Sequence, residues 1–290
     1  MIIMKIHGGL GNQMFQYALG RHLAWRNQVE LKLDTSFYTK QHRKDTPREF
    51  QLSIFNCSLT LCTEREIKEL VLFPKLMEWN KWLNRLHVNF LPNYVYEKTF
   101  TFEPNILKLK SNIYLEGYWQ TPRYFEEIET IIRQDFTFKE DISIQNKALA
   151  QKIEATESIA IHIRRGDFLT NALHNVFEMD YVLKSTQLML EKLGEKITFF
   201  VFSDDIDWCK DNLNNVNPNI EWHYCDGGSA KEDLQLMSSC KHFIVANSSF
   251  SWWAAWLSNN INKIVVAPKK WFNDPQKDTS DLLPNTWIQI

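Results

Sequence analysis

The chain opens on an apolar run, Met1–Ile6, broken only by Lys5. Glycines follow at 8, 9 and 11, and then Met14, Phe15, Ala18, Leu19 and Leu23 recur at helical spacing. Val29–Asp34 (VELKLD) reads as a strand, so the first segment predicts a βαβ unit. Between residues 35 and 110 the period is lost. That stretch holds polar turns, a helix predicted over Glu64–Leu72 and an aromatic segment from Trp79 to Phe102. Asn112–Trp119 alternates as a strand does, and Tyr124–Phe136 has helical spacing.

The second half alternates more regularly. Strands are predicted over Ser158–Ile163, Lys196–Phe202, Ile220–Tyr224, Phe243–Ala246 and Lys263–Ala267. Helices are predicted over Tyr181–Leu193, Asp205–Leu213, Lys231–Cys240 and Ser251–Leu257. Strands alternating with helices in this way predict a doubly wound parallel sheet. A polar stretch over residues 140–157 is the expected boundary between an N-terminal α/β domain, 1–150, and a C-terminal Rossmann-like domain, 151–290, facing each other across a cleft. No internal repeat is visible.

Composition narrows the function classes. Hydrophobic residues make up 44% and charged residues 23%, which excludes a disordered or collagenous chain. The net charge of −2 offers no basic field for nucleic acid. No run approaches the ~18 apolar residues of a membrane span, and no signal peptide is evident. The five cysteines, at 57, 62, 209, 225 and 240, are odd in number and form no CxxC pair. They predict reduced, mostly buried thiols in a cytoplasmic protein rather than disulfides or a zinc knuckle. The 11 Trp beside 19 Phe and 9 Tyr fit either a large core or a sugar site. Trp79 and Trp82 are expected in the core, with a peripheral membrane contact as the alternative.

Four motifs could carry chemistry. His7-Gly8-Gly9-Leu10-Gly11-Asn12-Gln13 places a glycine turn between a strand and a helix, where backbone N–H groups can meet an anion. No GK[ST] follows, and Met14 breaks the dinucleotide fingerprint; a tight turn capped by Asn12 is the plain alternative. His162-Ile163-Arg164-Arg165-Gly166-Asp167 lies at a strand's C-terminal end, where open α/β sheets bind ligands. One arginine there could grip a diphosphate, and the other could pair with Asp167 or Asp204. Ser203-Asp204-Asp205-Ile206-Asp207 contains a short acidic motif of metal-dependent sugar transferases. Asp205 and Asp207, however, open a predicted helix, where carboxylates are stabilising without a metal. Asp204 remains a plausible ligand contact. Asn247-Ser248-Ser249-Phe250-Ser251 leads from a strand into a helix, with a phosphate site or simple capping by Ser251 as its readings. Trp252, Trp253 and Trp256 behind it are expected in the core, and Asp233 stands out on an otherwise apolar helix.

Taken together, GGLGNQMFQYA, IHIRRGDF, FVFSDDIDWCK and NSSFSWWAAWL resemble the α-1,2-fucosyltransferases of glycosyltransferase family 11, in order and across both ends of the chain. The HxRRxD element is shared more widely with other fucosyltransferases. The resemblance implies a GT-B fold and metal-free, inverting transfer of L-fucose from GDP-β-L-fucose to the 2-OH of a galactose. It implies that Arg164 contacts the diphosphate, His162 and Asp233 the nucleotide, and Ser248 and Ser249 the phosphates. Gly11 and Asn12 would reach the donor from across the cleft, with Ser203, Asp204, Asn247 and Phe250 completing the donor site. For the general base, Asp167 stands first and His7 second. The galactose-terminated acceptor would belong to a surface-glycan precursor, and Trp119 is the expected sugar-facing ring. A GT-B enzyme for another nucleotide sugar and a non-catalytic carbohydrate-binding module are the competing readings.

Overall fold

The computed structural model describes residues 1–39, 47–71, 73–77, 79–80, 91–214, 220–226 and 228–290. Trp82 lies outside the described residues. The chain divides into two compact units, Met1–Lys139 with Asp278–Leu282, and Glu140–Lys277 with Leu283–Ile290. The sequence reading carries the second domain unbroken to residue 290. Residues 278–282 cluster with the first unit, where Asp281 accepts from Arg123 Nη1 at 2.5 Å and from the Phe102 amide at 2.9 Å.

The first unit is a four-stranded parallel sheet in the order β2-β1-β4-β3, with β1 Ile2–Lys5, β2 Leu31–Asp34, β3 Tyr94–Tyr96 and β4 Ile113–Glu116. Helix α1, Leu10–Asn27, makes the β1–β2 crossover. All five residues at its helical spacing, Met14, Phe15, Ala18, Leu19 and Leu23, are fully buried. One turn, α2 (Ser36–Thr39), follows β2, and α3 (Glu64–Leu70) opens on a capping box of Thr63 and Glu66. Tyr124–Phe136 departs from a single helix. It forms two 3-10 turns and then α4, Glu129–Asp135.

The second unit is a six-stranded parallel sheet in the order β10-β9-β8-β5-β6-β7. Its strands are β5 Ser158–Ile163, β6 Thr198–Ser203, β7 Trp222–Cys225, β8 His242–Ile244, β9 Val265–Ala267 and β10 Ile288–Gln289. The connecting helices are α5 Lys147–Ala155, α6 Met179–Leu193, α7 Ile206–Leu213, α8 Ala230–Ser239 and α9 Ser249–Leu257. β5 is buried along its whole length and β6 nearly so, as expected of strands covered on both faces. Ile159, Ile161, Phe199, Val201 and Ile244 form the centre of one core cluster.

The aromatics divide between core and surface. Trp252, Trp253 and Trp256 are buried, as their helix predicts. Trp79 does not enter the core and is 65% exposed. All five cysteines are free, and four are buried. Burial raises Cys57, Cys62 and Cys225 to about 12 and Cys209 to about 11, so none is a thiolate near neutrality. Among the described residues no helix is long and apolar enough to cross a membrane.

Phe199 is fully buried in the first half of β6, within the core cluster. Phe199→Ala is therefore expected to cost about 3–5 kcal/mol, read as a lower urea midpoint by tryptophan fluorescence.

Candidate functional site

Strand order decides where a ligand can sit in the second unit. From β5 the chain moves outward through β6 to β7, then returns to lay β8 on the other side of β5. The crevice at the C-terminal ends of β5 and β8 is thus a topological switch point, the usual ligand site of open α/β sheets. The loops leaving it are 164–168 and 245–248. They contain the arginine pair and the serine pair picked out from sequence. Beside them, a small pocket is lined in part by His162, Glu178, Tyr181 and Asn247.

The two arginines part ways here. Arg164 bonds Asp167 through Nη2 and Asp204 through Nη1, the latter at 3.0 Å. Arg165 turns aside to Asp205, at 3.0 Å, and its guanidinium lies 3.7 Å from the centroid of the Trp208 ring. The expectation that Asp167 or Asp204 would hold the structural arginine is corrected. Both face Arg164, because the β5–β6 register sets Ile163 opposite Ser203 and so brings residue 204 beside residue 164. Asp204 also accepts the Arg165 amide at 2.9 Å. A Cβ on Gly166 would lie 2.2 Å from Asp204 Oδ2, so only glycine lets this carboxylate close on the loop.

The acidic motif after β6 is used for structure. Asp205 caps α7, accepting the Trp208 amide at 3.4 Å, and its own amide donates to Ser203 Oγ at 3.0 Å. Asp207 is exposed and pairs with Lys210. Among the described residues no group of three or more His, Cys, Asp or Glu is placed to hold a metal.

His162 is buried beneath the arginine loop, its ring 5.8 Å from that of Phe250. Its Nδ1 is buried with no hydrogen-bond partner. Burial, and then the Arg164 charge, push its pKa down to about 3, so it is neutral across the physiological range. Ser248 caps α9, accepting the Phe250 amide at 3.3 Å. Capping by Ser251 is corrected. Its hydroxyl accepts from the Ala246 amide at 3.2 Å and so braces the loop behind the helix. Ser249 is the first residue of α9. Asn247 donates to the carbonyls of His174 and Trp271, at 3.0 and 3.1 Å, and ties two loops together. Asp233 stands on α8, which packs against α9. Burial, and then Glu232, raise its carboxyl to about 6.

In the first unit the glycine turn leads into α1 with Gly9 at the N-cap position and no side-chain cap. Capping by Asn12 is therefore corrected; Asn12 Oδ1 accepts from Gln120 Nε2 at 2.7 Å. Gly8 has φ +79°, and a Cβ there would meet the Asn12 amide at 2.6 Å. Gly11 is buried in the first turn. Gln13 holds the loop, donating to the carbonyls of Gly8 and Glu49 and accepting the Gln51 amide. His7 lies at the C-terminal end of β1, edge-on to Tyr118 with ring centroids 4.7 Å apart. Trp119, expected to face a sugar, is only 1% exposed. β4 ends at Glu116, and the positive φ of Trp119, 56°, turns its ring into the core against Tyr124. Its neighbour Tyr118 is the exposed ring, at 43%.

The four motifs thus occupy strand ends of two parallel sheets, and their match to known proteins runs the length of the chain. The family model of glycosyl transferase family 11 matches residues 1–290. The chain belongs to glycosyltransferase family 11. It is 32% identical to an alpha-1,2-colitosyltransferase of Escherichia coli, over all of this chain and 99% of that protein. It is 35% identical to the O-antigen biosynthesis glycosyltransferase WbnK of Escherichia coli, over 98% of this chain and 99% of that protein. Similarity to galactoside alpha-(1,2)-fucosyltransferase 1 of Aotus azarae is weaker, 24% over half of this chain and 42% of that one. Among solved structures, the POFUT1 apo form matches with a TM-score of 0.51 at 15% identity, over 92% of this chain and 97% of that chain. Arabidopsis thaliana FUT1 in complex with GDP gives 0.51 at 12%, over 98% and 74%. The fold is therefore GT-B, and membership in this enzyme family sets aside the reading as a non-catalytic binding module.

Family 11 membership does not explain why Asp233 is held at about 6, but burial does, and burial has a thermodynamic consequence. A carboxyl whose folded pKa is raised destabilises the fold as pH rises from its ordinary value of 3.8 towards about 6. Asp233→Asn removes that dependence. The variant should gain on the wild type between about pH 4 and 6, by on the order of 2–3 kcal/mol, and keep the gain at pH 7, as read from urea midpoints at each pH.

Proposed function

We propose that this chain is an inverting, metal-independent α-1,2-glycosyltransferase that moves L-fucose from GDP-β-L-fucose to the 2-OH of a galactose in a surface-glycan precursor. The observation that carries this reading is Arg164, a cation at the switch-point crevice with the Ser248-capped end of α9 leaving the same crevice. Transfer forms a bond from the acceptor oxygen to C1 of the donor sugar and breaks the bond from C1 to the β-phosphate oxygen. The electron pair leaves with GDP. Without a metal, the charge developing on the diphosphate must be met by fixed cations and N–H groups. Arg164 and the amides at the start of α9 are suited to that task.

The acceptor hydroxyl must lose its proton as it attacks, and Asp167 is the proposed base. In the ligand-free chain its carboxylate is paired with Arg164. A diphosphate competes for the same guanidinium, so donor binding would release Asp167 when a base is needed. The buried, neutral His162 and the half-buried Asp233 are suited to reading the nucleotide by hydrogen bonds.

The similarity to a colitosyltransferase favours a second reading, with colitose as the transferred sugar. Colitose is fucose without its 3-hydroxyl, and a site built to hydrogen-bond that hydroxyl would reject the deoxy sugar strongly. Comparing kcat/KM for the two GDP-sugars on one β-galactoside separates the readings. Calorimetry with GDP, UDP and CMP tests the nucleotide itself.

Arg164→Ala, where circular dichroism shows it folded, should lose about 10²–10³ in kcat. Full activity in that variant would refute the proposal. Transfer should be undiminished in EDTA, and strict loss would restore Asp205 and Asp207 as metal ligands.

A further inference from the structure

His7, Gln16 and Tyr118 meet at the C-terminal rim of the first sheet, and their hydrogen bonds assign a proton. Gln16 is fully buried on α1. The His7 backbone N–H donates to Gln16 Oε1 at 3.0 Å, and Gln16 Nε2 donates to the Gly117 carbonyl at 3.1 Å. These two bonds fix which end of the amide is oxygen. The reverse orientation would set donor against donor at His7 and acceptor against acceptor at Gly117. The same Nε2 lies 2.9 Å from His7 Nδ1. An amide NH₂ only donates, so Nδ1 accepts and the ring proton of neutral His7 sits on Nε2.

The surrounding loop is also held in place. Glu97 accepts the amides of Tyr118 and Trp119 at 2.7 and 2.8 Å. The Tyr118 ring is therefore held beside the imidazole, and the Phe37 ring also meets His7 edge-on, with centroids 6.0 Å apart. An exposed aromatic ring beside one oriented N–H donor suits a pyranose, whose C–H face is apolar and whose rim is hydroxyl.

We infer that this rim is a sugar subsite in which His7 Nε2–H donates to a hydroxyl of a β-galactoside acceptor lying against Tyr118. His7 thereby acts as a fixed donor and not as the base, and Gln16 is the positioning residue that sets its tautomer. The inference rests on the proposed sugar transfer only for the identity of the ligand.

Histidine-selective ¹⁵N spectra, with His7 assigned from His7→Gln, read the tautomer directly. The wild type should show Nε2 protonated and Nδ1 bare, and the opposite pattern overturns the inference. Gln16→Glu presents only acceptors to Nδ1 and should move the proton there. If that variant does not fold, Gln16→Met, which removes the partner, should give a mixture of both tautomers. An unchanged pattern in the folded variant counts against the role of Gln16. Titration with methyl β-D-galactopyranoside should shift the Nε2 resonance saturably, and no shift refutes the subsite. In transfer assays His7→Ala should raise the acceptor KM by about tenfold, and His7→Gln, which restores an N–H but no base, should recover most of it. Equal loss in both variants marks His7 as the base. A wild type that transfers no sugar would remove the proposed function, while the spectra would still decide the tautomer and the subsite.

Discussion

The second unit is organised around one guanidinium. Arg164 leaves the end of a fully buried strand and is met by two carboxylates, Asp167 from its own loop and Asp204 from the next strand's end. A cation beside a sheet's C-terminal edge needs such partners in the absence of ligand, because an uncompensated charge there would be costly. The surrounding details serve that placement. Gly166 lacks the Cβ that would strike Asp204. Arg165 is drawn away onto Asp205 and Trp208. The two adjacent arginines thus divide into one held in the crevice and one that anchors the loop.

A second constraint comes from burial of polar groups around the crevice. His162 is kept neutral by desolvation, with one ring nitrogen unpartnered, and Asp233 is held well above the usual carboxylate range. Both cost folding free energy in the ligand-free chain. Strained or desolvated groups of this kind gather at functional sites, where a ligand supplies what the fold withholds. The first unit behaves differently. Its polar side chains at the glycine turn, Gln13, Gln16 and Asn12, are engaged in bonds to the protein, so the loop is set before any substrate arrives.

Much of the fold was legible from periodicity. The α1 stripe, the buried runs of β5 and β6, and the four later helices follow from spacing and continuous hydrophobicity. β3 and β10 were not: β3 lies in the aromatic segment between residues 79 and 102, where hydrophobic side chains do not alternate, and β10 has only two residues. The break of Tyr124–Phe136 into two 3-10 turns and a short helix is likewise a matter of local backbone that spacing does not encode. The exposed ring was misplaced by one residue for a related reason. Alternation through Asn112–Trp119 assumes an extended chain, but Trp119 takes a positive φ and the two faces exchange.

By itself, the sequence determined the family, the two α/β halves and the motifs that carry charge. These rest on residue type and local spacing, which a linear chain displays in full. Only the tertiary structure decided which arginine faces the crevice, which serine caps α9, which aromatic ring is exposed and which nitrogen of His7 bears the proton. Two of these depend on a partner distant in sequence, Asp204 for Arg164 and Gly117 for the Gln16 amide, and two on how a short turn folds back, Ala246 onto Ser251 and Tyr124 onto Trp119. Such pairings are created by strand register, helix packing and the backbone path of individual turns, and no pattern along the chain records them.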